Sequence, residues 1–150
     1  MAAGAGSRAA QRDRSLDRAE DATITSHRFR ALVDLSARKV TVWDGEQVVV
    51  ESPAVIGGKS TPTPPGRFFV NDVIDKPEGS VYGPHILSLS GFSEAMETFA
   101  GGVPVIAIHG TNHPELMGSA SSNGCVRVPN EIVDHLADLV PIGTPVDIVA

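Results

Sequence analysis

Cys125 is the single cysteine of the 150-residue chain, in the run Ser121-Ser122-Asn123-Gly124-Cys125-Val126-Arg127-Val128-Pro129-Asn130. His109 stands sixteen positions upstream (125 − 109), at the end of Val103-Pro104-Val105-Ile106-Ala107-Ile108. A thiol attacks carbonyl carbon well only as thiolate, so it needs a neighbour that lowers its pKa or takes its proton. His109 and Arg127 are the residues able to do so. Gly124 lets backbone approach a substrate closely, and its amide with that of Cys125 has the makings of an oxyanion hole. Two other readings stay open on these residues alone. Cys125 as an inert buried thiol is one; His109, His113 and Cys125 as zinc ligands is the other. Zinc is disfavoured, because Pro114 stiffens the loop, no second cysteine exists and an Asp or Glu would have to complete the set. No metal or other cofactor is therefore expected. Ser121 and Ser122 lack the strand-turn-helix setting of a serine nucleophile and are expected to hydrogen-bond within the loop. Glu131 and Asp138 share one predicted helix without a carboxylate partner at glycosidase-like placement, which argues against glycan cleavage.

The elements that must position this pair are short. Arg28–Asp34 and Lys39–Trp43 read as strands joined by Leu35-Ser36-Ala37-Arg38, and Asp44-Gly45 marks a hairpin turn into Gln47–Val50. Residues 53–58 read as a short strand ending at Gly57-Gly58. Lys59-Ser60-Thr61-Pro62-Thr63-Pro64-Pro65-Gly66 reads as a stiff, extended connector, since proline fixes φ and removes donors. Arg67–Val70 resumes strand character, and residues 71–84 read as an exposed loop. His85–Ser90 suits a strand, Phe92–Phe99 a short helix, and Val103–Ile108 a buried strand. Residues 110–124 read as a loop. Asn130 is placed to cap a helix over Glu131–Leu139, with Ile132, Val133, Leu136, Leu139 and Val140 on one face. Thr144–Val149 closes the chain as a strand. His135 reads as solvent-facing on that helix, and His113 as a loop residue near a substrate groove.

The chain has 15 glycines and 11 prolines but one Trp and one Tyr, so the core must be aliphatic and the elements short. Its net charge of −6 argues against nucleic acid and anionic membrane surfaces as partners. Residues 1–26 hold four Arg and four acidic residues and one large aliphatic before Ile24. They read as a disordered lead-in, with a domain over 27–150. No run approaches the roughly 18 apolar residues of a membrane span. The first residues lack the basic and apolar regions of a signal peptide. A single cysteine excludes an intramolecular disulfide.

Ile108-His109-Gly110-Thr111, followed by Ser122-Asn123-Gly124-Cys125-Val126-Arg127 and Asn130, resembles the L,D-transpeptidase catalytic domain, the YkuD family. Val33-Asp34-Leu35-Ser36 through Trp43-Asp44-Gly45, Gly57, Thr61–Gly66 and Gly143-Thr144-Pro145-Val146-Asp147-Ile148 fit the same pattern, over roughly residues 28–149. The resemblance implies a mainly β, β-sandwich-like fold with one or two short helices. It implies acyl transfer on peptidoglycan stem peptides: Cys125 takes the acyl group of a tetrapeptide donor as a thioester, D-Ala leaves, and an acceptor amine forms a 3→3 cross-link. His109 would be the base and acid, and the Gly110 carbonyl would orient its ring. The Gly124 and Cys125 amides would hold the oxyanion. Arg127, Asn123 and Ser122 would support the site or substrate, and Tyr82 or His85 would contact substrate. Carbapenems would inhibit it, and its place would be the cell envelope outside the cytoplasmic membrane. The family usually has His where this chain has Asn123. An L,D-carboxypeptidase, a protein-anchoring transpeptidase and a non-catalytic wall-binding module are the alternatives.

Overall fold

The order of the strands across the sheet differs sharply from their order along the chain. A computed structural model describes residues 20, 23, 26–93, 95–98 and 102–150. The disordered lead-in expected over 1–26 lies almost wholly outside these residues. Among the described residues ten strands are formed: β1 (Phe29–Asp34), β2 (Lys39–Asp44), β3 (Gln47–Pro53), β4 (Ile56–Gly57), β5 (Gly66–Asp75), β6 (His85–Phe92), β7 (Val105–His109), β8 (Ala120–Ser122), β9 (Val126–Arg127) and β10 (Pro145–Val149). One α-helix among the described residues, α1 (Asn130–Leu139), precedes β10. Eight strands form a curled sheet in the order β3-β2-β1-β10-β5-β6-β7-β9, and β4 pairs with β8 as a separate ribbon.

The β1–β2–β3 meander follows from local chemistry. Gly45 takes φ +61° at the hairpin turn, a conformation that costs glycine little. Alternation then puts Val33, Val40, Val42 and Val50 into the core. β10 arrives from the far end of the chain and pairs in parallel with β1, Ala31 opposite Val146 through Asp34 opposite Val149, and antiparallel with β5. The core joins Val50 of β3 with Val126 of β9, the strands at the two ends of the sheet order. The sheet therefore curls around one apolar interior, which gives the sandwich-like section. Each fully buried aliphatic side chain contributes about 1.5–3 kcal/mol by leaving water. α1 buries Val133 and Leu136 and leaves His135 exposed, as its apolar stripe predicts.

Four sequence expectations are corrected. Residues 110–124, read as a loop, include a 3-10 turn at Pro114–Leu116 and strand β8, paired with β4. Residues 71–75 are strand, not loop: β5 runs on to Asp75 and pairs Val73 with Leu87, Ile74 with Ile86 and Asp75 with His85, past an irregularity between Val70 and Asp72. Cross-strand pairing overrides the poor strand propensity of Asn71, Asp72 and Asp75. No helix occupies the described part of Phe92–Phe99. Phe92 closes β6 opposite Val105, the Ser93 N–H donates to the Pro104 carbonyl, and Ala95–Thr98 is irregular; Glu94 and Phe99 are outside the described residues. Finally, Asn130 does not cap α1. Pro129 occupies the cap position with no side-chain cap bond, and the Asn130 side chain is used elsewhere.

Candidate active site

β7 and β9 run in parallel with Ile108 opposite Val126 and His109 opposite Arg127. Side chains alternate along a strand, so Ile106, Ile108, Val126 and Val128 enter the core, while Val105, His109, Cys125 and Arg127 line a cavity of about 320 Å³. Ile106, Tyr82, Val81, Ser93, Met96, Pro104, Asn112, His113 and Asn123 complete its wall. The register thus brings together the thiol, the imidazole and the guanidinium. His113 sits on the rim, exposed, with Nδ1 2.9 Å from Glu115. Among the described residues no three His, Cys, Asp or Glu side chains are grouped to hold a metal ion.

His109 is nearly buried, and its Nδ1 lies 2.6 Å from the Gly110 carbonyl oxygen. A carbonyl only accepts, so Nδ1 carries the proton and Nε2 keeps its lone pair. Tyr82 packs edge-on against the ring, 5.1 Å between centroids at 81°. Burial pushes the His109 pKa from 6.5 down to about 4; the Gly110 carbonyl opposes this, and the Arg127 cation adds to the fall. Burial also pushes the Cys125 thiol up, against weaker pulls from the Ala107 backbone and from Arg127. Its Sγ lies 3.9 Å from the Val105 carbonyl oxygen. At neutral pH the pair therefore rests as thiol and neutral imidazole, not as a preformed ion pair.

The loop that carries Cys125 is held by side chains. Ser122 Oγ donates to the Cys125 carbonyl at 2.5 Å and accepts from the Gly124 N–H at 3.1 Å. Gly124 takes φ +119°, which an L side chain rarely adopts. Thr63 Oγ1 donates to the Gly124 carbonyl at 2.8 Å and accepts from the Gly57 N–H at 2.9 Å, and Thr61 Oγ1 donates to the Ser122 carbonyl at 3.2 Å. The proline-rich segment, expected to be a plain connector, is a brace for the cysteine loop. Its prolines pre-set the path, and its threonines make the bonds.

Asn130 does comparable work on the histidine side. Its Oδ1 accepts from the Thr111 N–H at 2.7 Å. Gly83 and Gly110 meet beside it, so closely that a Cβ on either would run into the other's backbone. Sequence reasoning gave Asn130 the wrong partner because Asn before an apolar helix face signals a cap equally well. Of the two aromatic candidates for substrate contact, Tyr82 lines the cavity and His85 does not. His85 points the other way, with Nδ1 3.0 Å from Asp75 and Nε2 2.8 Å from Asp134, tying β5 to α1. Asn123, exposed, and Arg127, half-buried, both face the cavity. Ser93, Met96 and Pro104 were missed, since the cavity end they form depends on the Ser93–Pro104 backbone bond and carries no motif.

The fold has counterparts among known proteins. The profile of the L,D-transpeptidase catalytic domain, YkuD, matches residues 28–148, and the chain belongs to that family. It is 34% identical over 120 residues to the putative L,D-transpeptidase YkuD of Bacillus licheniformis, covering 80% of this chain and 65% of that protein. The chain thus spans just under two-thirds of that relative's length. L,D-transpeptidase 3 from Mycobacterium tuberculosis, solved in complex with a faropenem-derived adduct, superposes with a TM-score of 0.65 at 16% identity, over 83% of this chain and 61% of that one. The L,D-transpeptidase LdtMt1 in complex with imipenem superposes with a TM-score of 0.60 at 22% identity, over 82% and 59%. At those identities the solved structures speak for the fold.

Proposed function

We propose that residues 27–150 form a peptidoglycan L,D-transpeptidase domain that works outside the cytoplasmic membrane and forms 3→3 cross-links through a Cys125 thioester. The observation that carries this reading is the shared cavity face of Cys125 and His109, with His109 Nε2 left as a base by the Nδ1–Gly110 contact. Family membership supplies the substrate class.

The resting thiol and imidazole are both neutral, so attack and proton transfer occur together. Cys125 Sγ bonds to the carbonyl carbon preceding the donor's terminal D-Ala while its proton passes to His109 Nε2. The Cys125 N–H holds the oxyanion, because the Gly124 N–H is engaged by Ser122 Oγ. Collapse of the intermediate breaks the C–N bond, and the Nε2 proton leaves with the D-Ala amine. An acceptor amine, such as the side chain of diaminopimelate, then attacks the thioester and gives its proton to Nε2. The C–S bond breaks and Sγ recovers that proton. Arg127, a cation on the cavity wall, favours the donor's terminal carboxylate. Asn123 contacts substrate by hydrogen bonding, since an amide side chain cannot take the proton.

Imipenem and intact-mass analysis test the thioester chemistry: one adduct is expected on the wild type and none on Cys125→Ala. An equal adduct on both would sink the assignment. Purified tetrapeptide muropeptides then test the product. Cross-linked dimers are expected; trimmed tripeptides alone would mark an L,D-carboxypeptidase, and neither product a wall-binding module.

A further inference from the structure

Ser93 lies just beyond β6, where its N–H donates to the Pro104 carbonyl and so seats it beside the first residues of β7. It is 6% exposed, yet it lines the cavity that holds Cys125 and His109. Its Oγ is the one buried side-chain nitrogen or oxygen atom without a hydrogen-bond partner among the described residues. A buried hydroxyl left unpaired is destabilising, a cost that structures rarely carry without reason. Met96, Pro104 and Val105 line the same cavity and give no polar side-chain atom to satisfy it.

We propose that Ser93 is a specificity-determining residue whose hydroxyl pairs with an uncharged amide of the acyl donor, a contact that rests on the reading of the cavity as a donor-peptide site. The chemistry of this end selects that group. Burying a carboxylate next to Met96 and Pro104 would leave a charge without a counter-ion, whereas a neutral amide offers both a donor and an acceptor to a hydroxyl. The cavity's cation, Arg127, belongs to the opposite strand edge, on β9. The donor is therefore read at two separate points, its carboxylate by Arg127 and one of its amides by Ser93. A hydroxyl that gains its partner only on binding discriminates strongly, since a ligand lacking the group leaves Oγ buried and unpaired.

Ser93→Ala tests this in two settings. In the Cys125→Ala background, calorimetric titration with a tetrapeptide stem ending in diaminopimelyl-D-Ala should show Kd raised about five- to tenfold by Ser93→Ala. In the otherwise native chain the melting temperature should stay level or rise, because an unpaired hydroxyl is removed. Unchanged peptide affinity would overturn the proposal, as would a lowered melting temperature, which would show that Ser93 is already satisfied in the free protein. Absence of peptide binding to Cys125→Ala would overturn it as well. Peptide binding that Ser93→Ala leaves unchanged, together with an imipenem adduct on the native chain, would show that the donor site and the cysteine chemistry stand and that only the Ser93 contact has failed.

Discussion

His109 is the last residue of a strand with neighbours on both sides, whereas Cys125 stands between two short strands, β8 and β9, on a loop. The two reach one cavity by different means. Backbone pairing sets His109: β6 and β9 flank its strand, and the adjoining Gly110 carbonyl fixes its ring. Side chains set Cys125: Thr61, Thr63 and Ser122 bond to loop backbone. A ladder tolerates most side-chain changes, because its bonds are backbone bonds. A side-chain brace has single points of failure. The histidine position should therefore be robust to distant substitution, and the cysteine position sensitive to threonines of the proline-rich segment.

Removing the base gives the largest effect. His109→Gln keeps a neutral side chain of similar reach but cannot take the thiol proton, so imipenem acylation should fall about 10²–10⁴-fold. Stopped-flow fluorescence or timed mass spectrometry reads this, and a loss below tenfold would place the base elsewhere.

Burial of the neutral imidazole has a cost that pH exposes. The unfolded chain takes a proton on this histidine near 6.5, and the folded chain only near 4. Between those values the unfolded state binds more protons, so stability falls as pH falls from 6.5 towards 4. The loss reaches about 3 kcal/mol at 1.36 kcal/mol per pH unit. Urea titrations at pH 7 and pH 4.5 should show wild type losing more stability than His109→Gln; parallel losses would contradict a buried neutral His109. Acylation should stay level down to about pH 5 and then decline with a midpoint near 4.

On the braced side, Thr63→Val preserves shape but strands the Gly57 N–H and the Gly124 carbonyl. A stability loss of about 2 kcal/mol is expected, with acylation slowed about tenfold as the loop relaxes. Loss of stability with full acylation would show that the cysteine needs no brace. The smallest effect is expected of Asn123→His, because His109 already does the proton work: turnover should change by about threefold or less. A hundredfold gain would move the general base to position 123 and dissolve the contrast between the two sides.

The parts legible in the chain were those with local causes. Asp44-Gly45 announced the turn from β2 into β3, the α1 stripe announced its buried face, and His109 with Cys125 and Arg127 announced side chains that line one cavity. The misread parts depended on partners distant in sequence. Asp72 and Asp75 became strand because β6 lies alongside. Asn130 abandoned the helix cap for Thr111, nineteen positions away (130 − 111). His85 turned to Asp75 and Asp134.

By itself the sequence determined which residue types meet: one thiol, one histidine at a strand end, an arginine two positions past the cysteine, and glycines where backbone must bend or pack closely. Their periodicities and turn signals are local, and local patterns survive in one dimension. Only the tertiary structure decided which protons they hold and what surrounds them. The parallel register of β7 with β9 put imidazole and guanidinium side by side. Burial lowered the pKa of His109 and raised that of Cys125, and the Ser93–Pro104 backbone bond left Ser93 lining the cavity. Desolvation and register arise from segments far apart in the chain, and neither is written at any single position.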